Sequence, residues 1–288
     1  MSRVFFLCAG LALFGCGNDA FGTADDASAD GARDGSAQDA TPPGDAGDAG
    51  ETSKPSACPG TAGPIGIHVR DGIANFCIDA TEVTHAQYEA FVQSAAARAV
   101  LLQLPSFCPP MPVFGAPPVA DPADFPARNI SWCDAWAYCR YAGKRLCGRI
   151  GGGPSLTTTE QATAAHDEAY FACSRGGRQA LPYGDTDIPG TCDDGFPDGG
   201  ANPDASPGPV ASWSGCVGGY PGLHDMVGGV DEFYDAVERN DAGAATYFGH
   251  RGGSWMSAKA DCSLHSGIDV VSAKYIGIGF RCCADALP

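Results

Sequence analysis

An α+β fold with little regular structure is what this sequence predicts, and three observations carry the prediction. Two stretches combine a helix N-cap with apolar residues at helical spacing. Long stretches rich in Gly, Pro and Asp separate them from short strand-like pieces. Twelve cysteines between positions 58 and 283 can pin such loops where backbone ladders do not.

The chain opens MSRVFFLCAGLALFG, with Arg3 ahead of an apolar run over residues 4–14. That run is about half the length a membrane-spanning helix needs, so residues 1–15 read as an export signal. It ends LFGC, which resembles a bacterial lipoprotein signal with Cys16 lipidated as the mature N-terminus. Ordinary cleavage and free secretion is the other outcome. Gly17, rather than Asp, follows the cysteine and permits sorting to the outer membrane. Residues 17–57 carry nine acidic and two basic groups and almost no large side chains. Such a segment buries too little apolar surface to offset its ordering entropy, and its charges repel one another. Residues 16–57 are therefore expected to be a disordered acidic tether.

Residues 58–288 suffice for one sizeable core. They hold 14 basic and 25 acidic groups, and this balance excludes a phosphate-neutralising stripe and argues against nucleic acid. The whole chain has six histidines and no CxxC pair, which argues against a zinc cluster. Exported cysteines in even number are expected to pair, with a connectivity the sequence leaves open.

The elements follow in order. In NFCIDATEVTHAQYEAFVQSAAARAV, residues 76–78 read as a short strand. Thr84 and Gln87 form a capping box, and Tyr88, Phe91 and Val92 share one side of a helix expected to run to about Ala97. The stretch LPSFCPPMPVFGAPPVADPADFP is too rich in proline for regular structure. In SWCDAWAYCRYAGKRL, Ser131 caps a second helix and Asp134 sits at its third position, with Gly143 as C-terminal cap. Trp132, Ala135, Trp136 and Cys139 share its buried face. A third helix is expected over residues 159–174, which lack Gly and Pro, with His166 solvated on its surface beside two acids. Cys192 and Cys216 bracket a Gly/Pro/Asp loop that a staple between them would pin, and Cys133, Cys139 and Cys147 are expected to be disulfide partners around the second helix. Short strand-like pieces close the chain.

The succession FCIDATEVTHAQYEAF, ISWCDAWAYCRYAGKRL, LPYGD, GLHDMVGGVDEF, RGGSW and IGIGFRC resembles the formylglycine-generating enzyme, or sulfatase-modifying factor, family over residues 65–285. The resemblance implies a C-type-lectin-like core of mixed α/β elements with long loops. It also implies an oxidase that converts a sulfatase cysteine, in a Cys-x-Pro-x-Arg sequence, to formylglycine with oxygen and copper(I) held by two cysteines. Those two positions fall here on Ser257 and Cys262. Copper(I) is soft and wants a thiolate pair, whereas a serine hydroxyl is hard and stays protonated. Copper and the family's oxidase activity are therefore not expected, and Cys262 is expected to join a structural disulfide, with Cys282 and Cys283 as candidate partners. The opposing reading keeps an oxidase built from Cys262 and a non-standard thiol, Cys282 or Cys283.

The family's calcium site implies, in GLHDMVGGVDEF, the side chains of Asp225 and Glu232 and the carbonyls of Gly228 and Val230. Mixed carboxylate and carbonyl oxygens suit calcium. Gly229 and Asp231 stand where the family has Asn and Trp, so packing or a groove wall should differ there. A second family calcium site falls near Asp193 and Asp194. Arg251, Arg281 and Glu82 are expected to organise loops through buried bonds rather than to clamp a substrate. The expected function is an exported, lipid-anchored envelope module that binds a peptide, protein or glycan. A purely structural envelope domain, which would bind nothing, shares the same disulfides.

Overall fold

The computed structural model describes residues 58–109, 121–193, 195, 206–257 and 259–288. The signal, Cys16, the tether and Asp194 lie outside the described residues. The chain divides into Met1–Thr52 and Ser53–Pro288, and the described residues all lie in the second unit.

Two four-stranded sheets frame it. The first runs β1 (Gly66–Asp71), β2 (Ala74–Asp79), β8 (Cys282–Asp285) and β3 (Arg145–Leu146), all antiparallel. The second runs β6 (His265–Ile268), β5 (Ala245–Arg251), β4 (Asp231–Arg239) and β7 (Ile278–Phe280), with β4 and β7 parallel. β7 and β8 belong to different sheets and are separated by Arg281 alone, so this residue marks where the chain crosses between them. The expected strand at residues 76–78 is the centre of β2. Its hairpin with β1 turns at Gly72, whose φ of 59° suits a tight two-residue connection.

The two capped helices form as the residue pattern implies. α1 (His85–Gln93) starts at the Thr84–Gln87 capping box and buries Tyr88 and Phe91. α3 (Trp132–Tyr141) starts at the Ser131–Asp134 box, and Gly143 just beyond it has φ 72°. Two expected helices are shorter than predicted. α1 stops at Gln93 because Ser94 turns extended and its hydroxyl takes the Ala96 N–H, a local bond that competes with the helix. The chain then makes a separate short helix, α2 (Ala97–Leu101). The helix expected over residues 159–174 is two, α4 (Thr158–Gln161) and α5 (Glu168–Ser174). Thr157 and Glu160 make a third capping box for α4, while the Asp167 carboxylate caps α5 by accepting the Tyr170 N–H. Asp167 is thus a helix start, not an interior residue. His166 is exposed, as expected, but it lies between the two helices rather than on one, and its neighbours Asp167 and Glu168 are fully buried.

Six disulfides use all twelve cysteines of the domain: Cys58–Cys77, Cys108–Cys133, Cys139–Cys282, Cys147–Cys283, Cys173–Cys262 and Cys192–Cys216. The Cys192–Cys216 staple is the expected one. Cys282 and Cys283 clamp the last strand to α3 and to the residue after β3, and neither meets Cys262.

Candidate functional site

The RGGSW stretch leaves β5 at Arg251 and turns sharply through Gly252 and Gly253, both at positive φ. A Cβ at Gly253 would lie 2.7 Å from the Ala260 Cβ and 3.2 Å from the Ser257 Oγ, so the turn has no room for a side chain. Its N–H donates to the Asp231 carboxylate at 2.8 Å, which ties the turn to the start of β4. Ser257 closes the next turn: its N–H donates to the Ser254 carbonyl, and its Oγ accepts the Ser254 N–H at 2.9 Å. The hydroxyl thus does local backbone work.

Cys262 is buried at 1% exposure and bonded to Cys173 of α5, with Cα atoms 5.5 Å apart. Its backbone is held from both sides. The N–H donates to Ala180, and the carbonyl accepts from Arg251 Nη1 at 2.9 Å. Arg251 also donates to the Asp167 carboxylate at 2.7 Å and to the Gln161 carbonyl at 2.8 Å. Its guanidinium lies 5.1 Å from the ring centroids of both Tyr170 and Tyr234. Every one of these contacts is internal, so Arg251 organises the loop that carries Cys262.

The second constellation centres on Arg281, 1% exposed at the sheet crossover. Nε donates to both Glu232 oxygens at 2.8 and 2.7 Å, Nη1 to the Asp79 carbonyl, and Nη2 to the carbonyls of His224 and Asp225. Glu82 lies beside them, 1% exposed, with Oε2 unpartnered. Burial pushes the Glu82 carboxyl well above its ordinary range, and the nearby Asp225 and Glu232 charges push it further while Arg281 pulls it down. Asp225 and Glu232 are raised as well, first by burial. Gly229 makes room for this packing, since a Cβ there would sit 2.5 Å from Glu82 Oε1.

The structure gathers Asp225, Gly228, Val230 and Glu232 in one region, and the two carboxylates among them already have partners. Glu232 gives both oxygens to Arg281, and Asp225 Oδ2 accepts the Ala211 N–H at 2.5 Å. Asp193 takes the Gly208 N–H on its carboxylate and the Gly229 N–H on its carbonyl. Among the described residues no three His, Cys, Asp or Glu side chains stand ready to hold a metal. A calcium ion held by this set would have to displace the Arg281 guanidinium from Glu232.

Clefts lie elsewhere on the domain. One of 380 Å³ runs between the end of α5 and residues 217–222, lined by Arg175, Gln179, Tyr183, Val217 and Tyr220 among others. Two disulfides, Cys173–Cys262 and Cys192–Cys216, pin the chain just before Arg175 and just before Val217. Sequence reading missed Cys173 as the partner of Cys262: the two are 89 residues apart, and no local pattern links them.

The family model described as a sulfatase-modifying factor enzyme 1-like domain matches residues 66–286. Among solved structures, CarF is similar at 20% identity and TM-score 0.49, over 79% of this chain and 96% of its own. PvdO from Pseudomonas aeruginosa is similar at 16% identity and TM-score 0.49, over 80% and 97%. Treponema denticola variable protein 1 is similar at 17% identity and TM-score 0.46, over 79% and 94%. No curated protein sequence matches.

Proposed function

The chain belongs to the sulfatase-modifying factor enzyme 1-like family, and we propose that it is an exported, lipid-anchored member without the family's oxidase centre, acting as a binding or accessory module. The observation that carries this reading is the engagement of Cys262 with Cys173, beside a serine at the other expected thiol position. Copper(I) needs soft thiolates. A disulfide sulfur offers none, and the Ser257 hydroxyl already accepts a backbone N–H. Cys282 and Cys283 do not rescue the centre, since each is bonded elsewhere.

The amino-terminal apolar run and LFGC support export with Cys16 as the lipid attachment point, and the acidic segment 17–57 then spaces the domain from the outer membrane. The ligand is a peptide, protein or glycan of the envelope, held on loop surfaces such as the cleft beside Tyr183 and Tyr220. Disulfide-pinned loops suit this role, because a pre-ordered surface loses less entropy on binding. The Arg281-centred ion cluster fixes the crossover between the two sheets.

The test is turnover. The unreduced protein, supplied with copper(I) and oxygen, should leave a Cys-x-Pro-x-Arg peptide unchanged, as read by mass spectrometry and aldehyde-specific labelling. Formylglycine accumulating above a no-protein control would overturn the proposal.

A further inference from the structure

We infer that residues 269–274, in the loop that ends against the Ser254–Ser257 turn, are held down by a pH-sensitive tie between the Lys274 ammonium and the buried Asp134 carboxylate of α3. The inference rests on the binding reading above only in giving this loop a use; the tie itself stands on the geometry.

The carboxylate is an unusual anchor. Asp134 is fully buried, and its Oδ2 accepts the Ser131 N–H and hydroxyl at 2.9 Å each. Lys274, with 29% of its side chain exposed, reaches the same oxygen at 3.4 Å. The other oxygen, Oδ1, is buried on the side of the equally buried Tyr88 hydroxyl, whose ionisation the neighbouring carboxylate opposes. The charged and titratable groups that bear on Asp134 are therefore Lys274, from the loop, and Tyr88, from α1. Burial pushes Asp134 up to about 6, against the pull of Lys274 and of the Ser131 bonds. The carboxyl thus exchanges its proton near neutrality rather than in strong acid.

The loop has two differently held halves. Its second half is anchored by backbone: Tyr275 accepts from the Asn129 N–H, Ile276 from Arg128, and Gly277 from the Asp231 N–H. A Cβ at Gly277 would lie 2.5 Å from the Met256 Cε and 3.3 Å from the Ser254 Oγ, so this end abuts the turn that carries Ser257. The first half folds on itself through the Ala273 N–H and the Val270 carbonyl. This half reaches the core through half-buried Val271 and through the Lys274 tie. Val270, Tyr275 and Ile276 are 50%, 46% and 46% exposed, so loosening the first half would rearrange an apolar surface beside the turn.

The signs of the two effects differ, which makes the tie testable. As pH falls through about 6, Asp134 gains a proton and loses its attraction for Lys274. A carboxyl whose folded pKa is raised binds a proton that the unfolded chain does not, so falling pH through that window favours the fold. The loop should therefore loosen while this group's contribution to global stability rises.

Amide hydrogen exchange on the full chain, corrected for intrinsic pH dependence, reads the loop directly. Between about pH 8 and about pH 5, exchange in residues 269–274 should rise roughly fivefold, the scale of a part-exposed ion pair. Lys274→Met should show the raised rate already at the higher pH and no further change. Asp134→Asn should behave likewise where it folds, and Lys274→Met decides the matter if it does not. A wild-type profile that is flat, or a Lys274→Met profile that still rises with acid, would overturn the tie. Turnover of the Cys-x-Pro-x-Arg peptide would end the binding reading and leave this result standing.

Discussion

Arg281→Met should destabilise the domain by roughly 3–5 kcal/mol, the scale for removing one partner of a buried ion pair. The reason is local. Arg281 is the positive charge at the centre of Glu82, Asp225 and Glu232, all within the core, and its nitrogens also satisfy the carbonyls of Asp79, His224 and Asp225. Methionine fills the volume but returns none of those donors, so carbonyls and carboxylates are left buried and unpaired. For a domain of this size the thermal midpoint should fall by roughly 6–20 °C. The deficit should shrink in acid. Glu82, Asp225 and Glu232 all have raised folded pKa values, so the native state takes up protons as pH falls and the unopposed charge disappears. Arg281→Met with Glu232→Gln should recover part of the loss. A single variant as stable as the parent would remove the cluster from its place at the sheet crossover.

The second large effect belongs to the Cys173–Cys262 bond. It closes a loop spanning 89 residues, for which chain entropy alone suggests roughly 4–5 kcal/mol. Engineered and native bridges commonly deliver less, about 2–4 kcal/mol, because the unlinked chain is not a random coil. Cys173→Ala combined with Cys262→Ala should therefore lower the denaturant midpoint by an amount in that range. Neither alanine leaves a charge or a large void behind. The loss should be felt at α5 and at the loop after RGGSW together, since Arg251 joins them through the Asp167 carboxylate and the Cys262 carbonyl. A change below about 1 kcal/mol would mean that Arg251 and its two tyrosines hold this loop without the bridge.

Much of the architecture is legible in single residues. Thr84 with Gln87 and Ser131 with Asp134 announce two helices because a capping box is a local arrangement, complete within four residues. The same pattern at Thr157 and Glu160 marks the start of α4, and the Asp167 cap marks the separate start of α5. Asp167 misleads because the same carboxylate caps a helix, pairs with Arg251 and is buried, and only the first of these is local. Cys192 and Cys216 can be paired from the loop they bracket. Cys262 and Cys173 cannot, because their meeting depends on how α5 packs beneath the RGGSW turn. The proposed calcium ligands show the same limit. Asp225 and Glu232 carry the right donor atoms, but the guanidinium that holds the Glu232 carboxylate and the Asp225 carbonyl comes from Arg281, dozens of residues along the chain.

Alkylation of the unreduced domain with peptide mapping at every cysteine tests the central claim most directly. The claim predicts no labelling at Cys262 until a reductant is added, and a Cys173–Cys262 linked peptide in the unreduced digest. Rapid labelling of a free Cys262 in the folded protein would contradict it and return the oxidase to consideration.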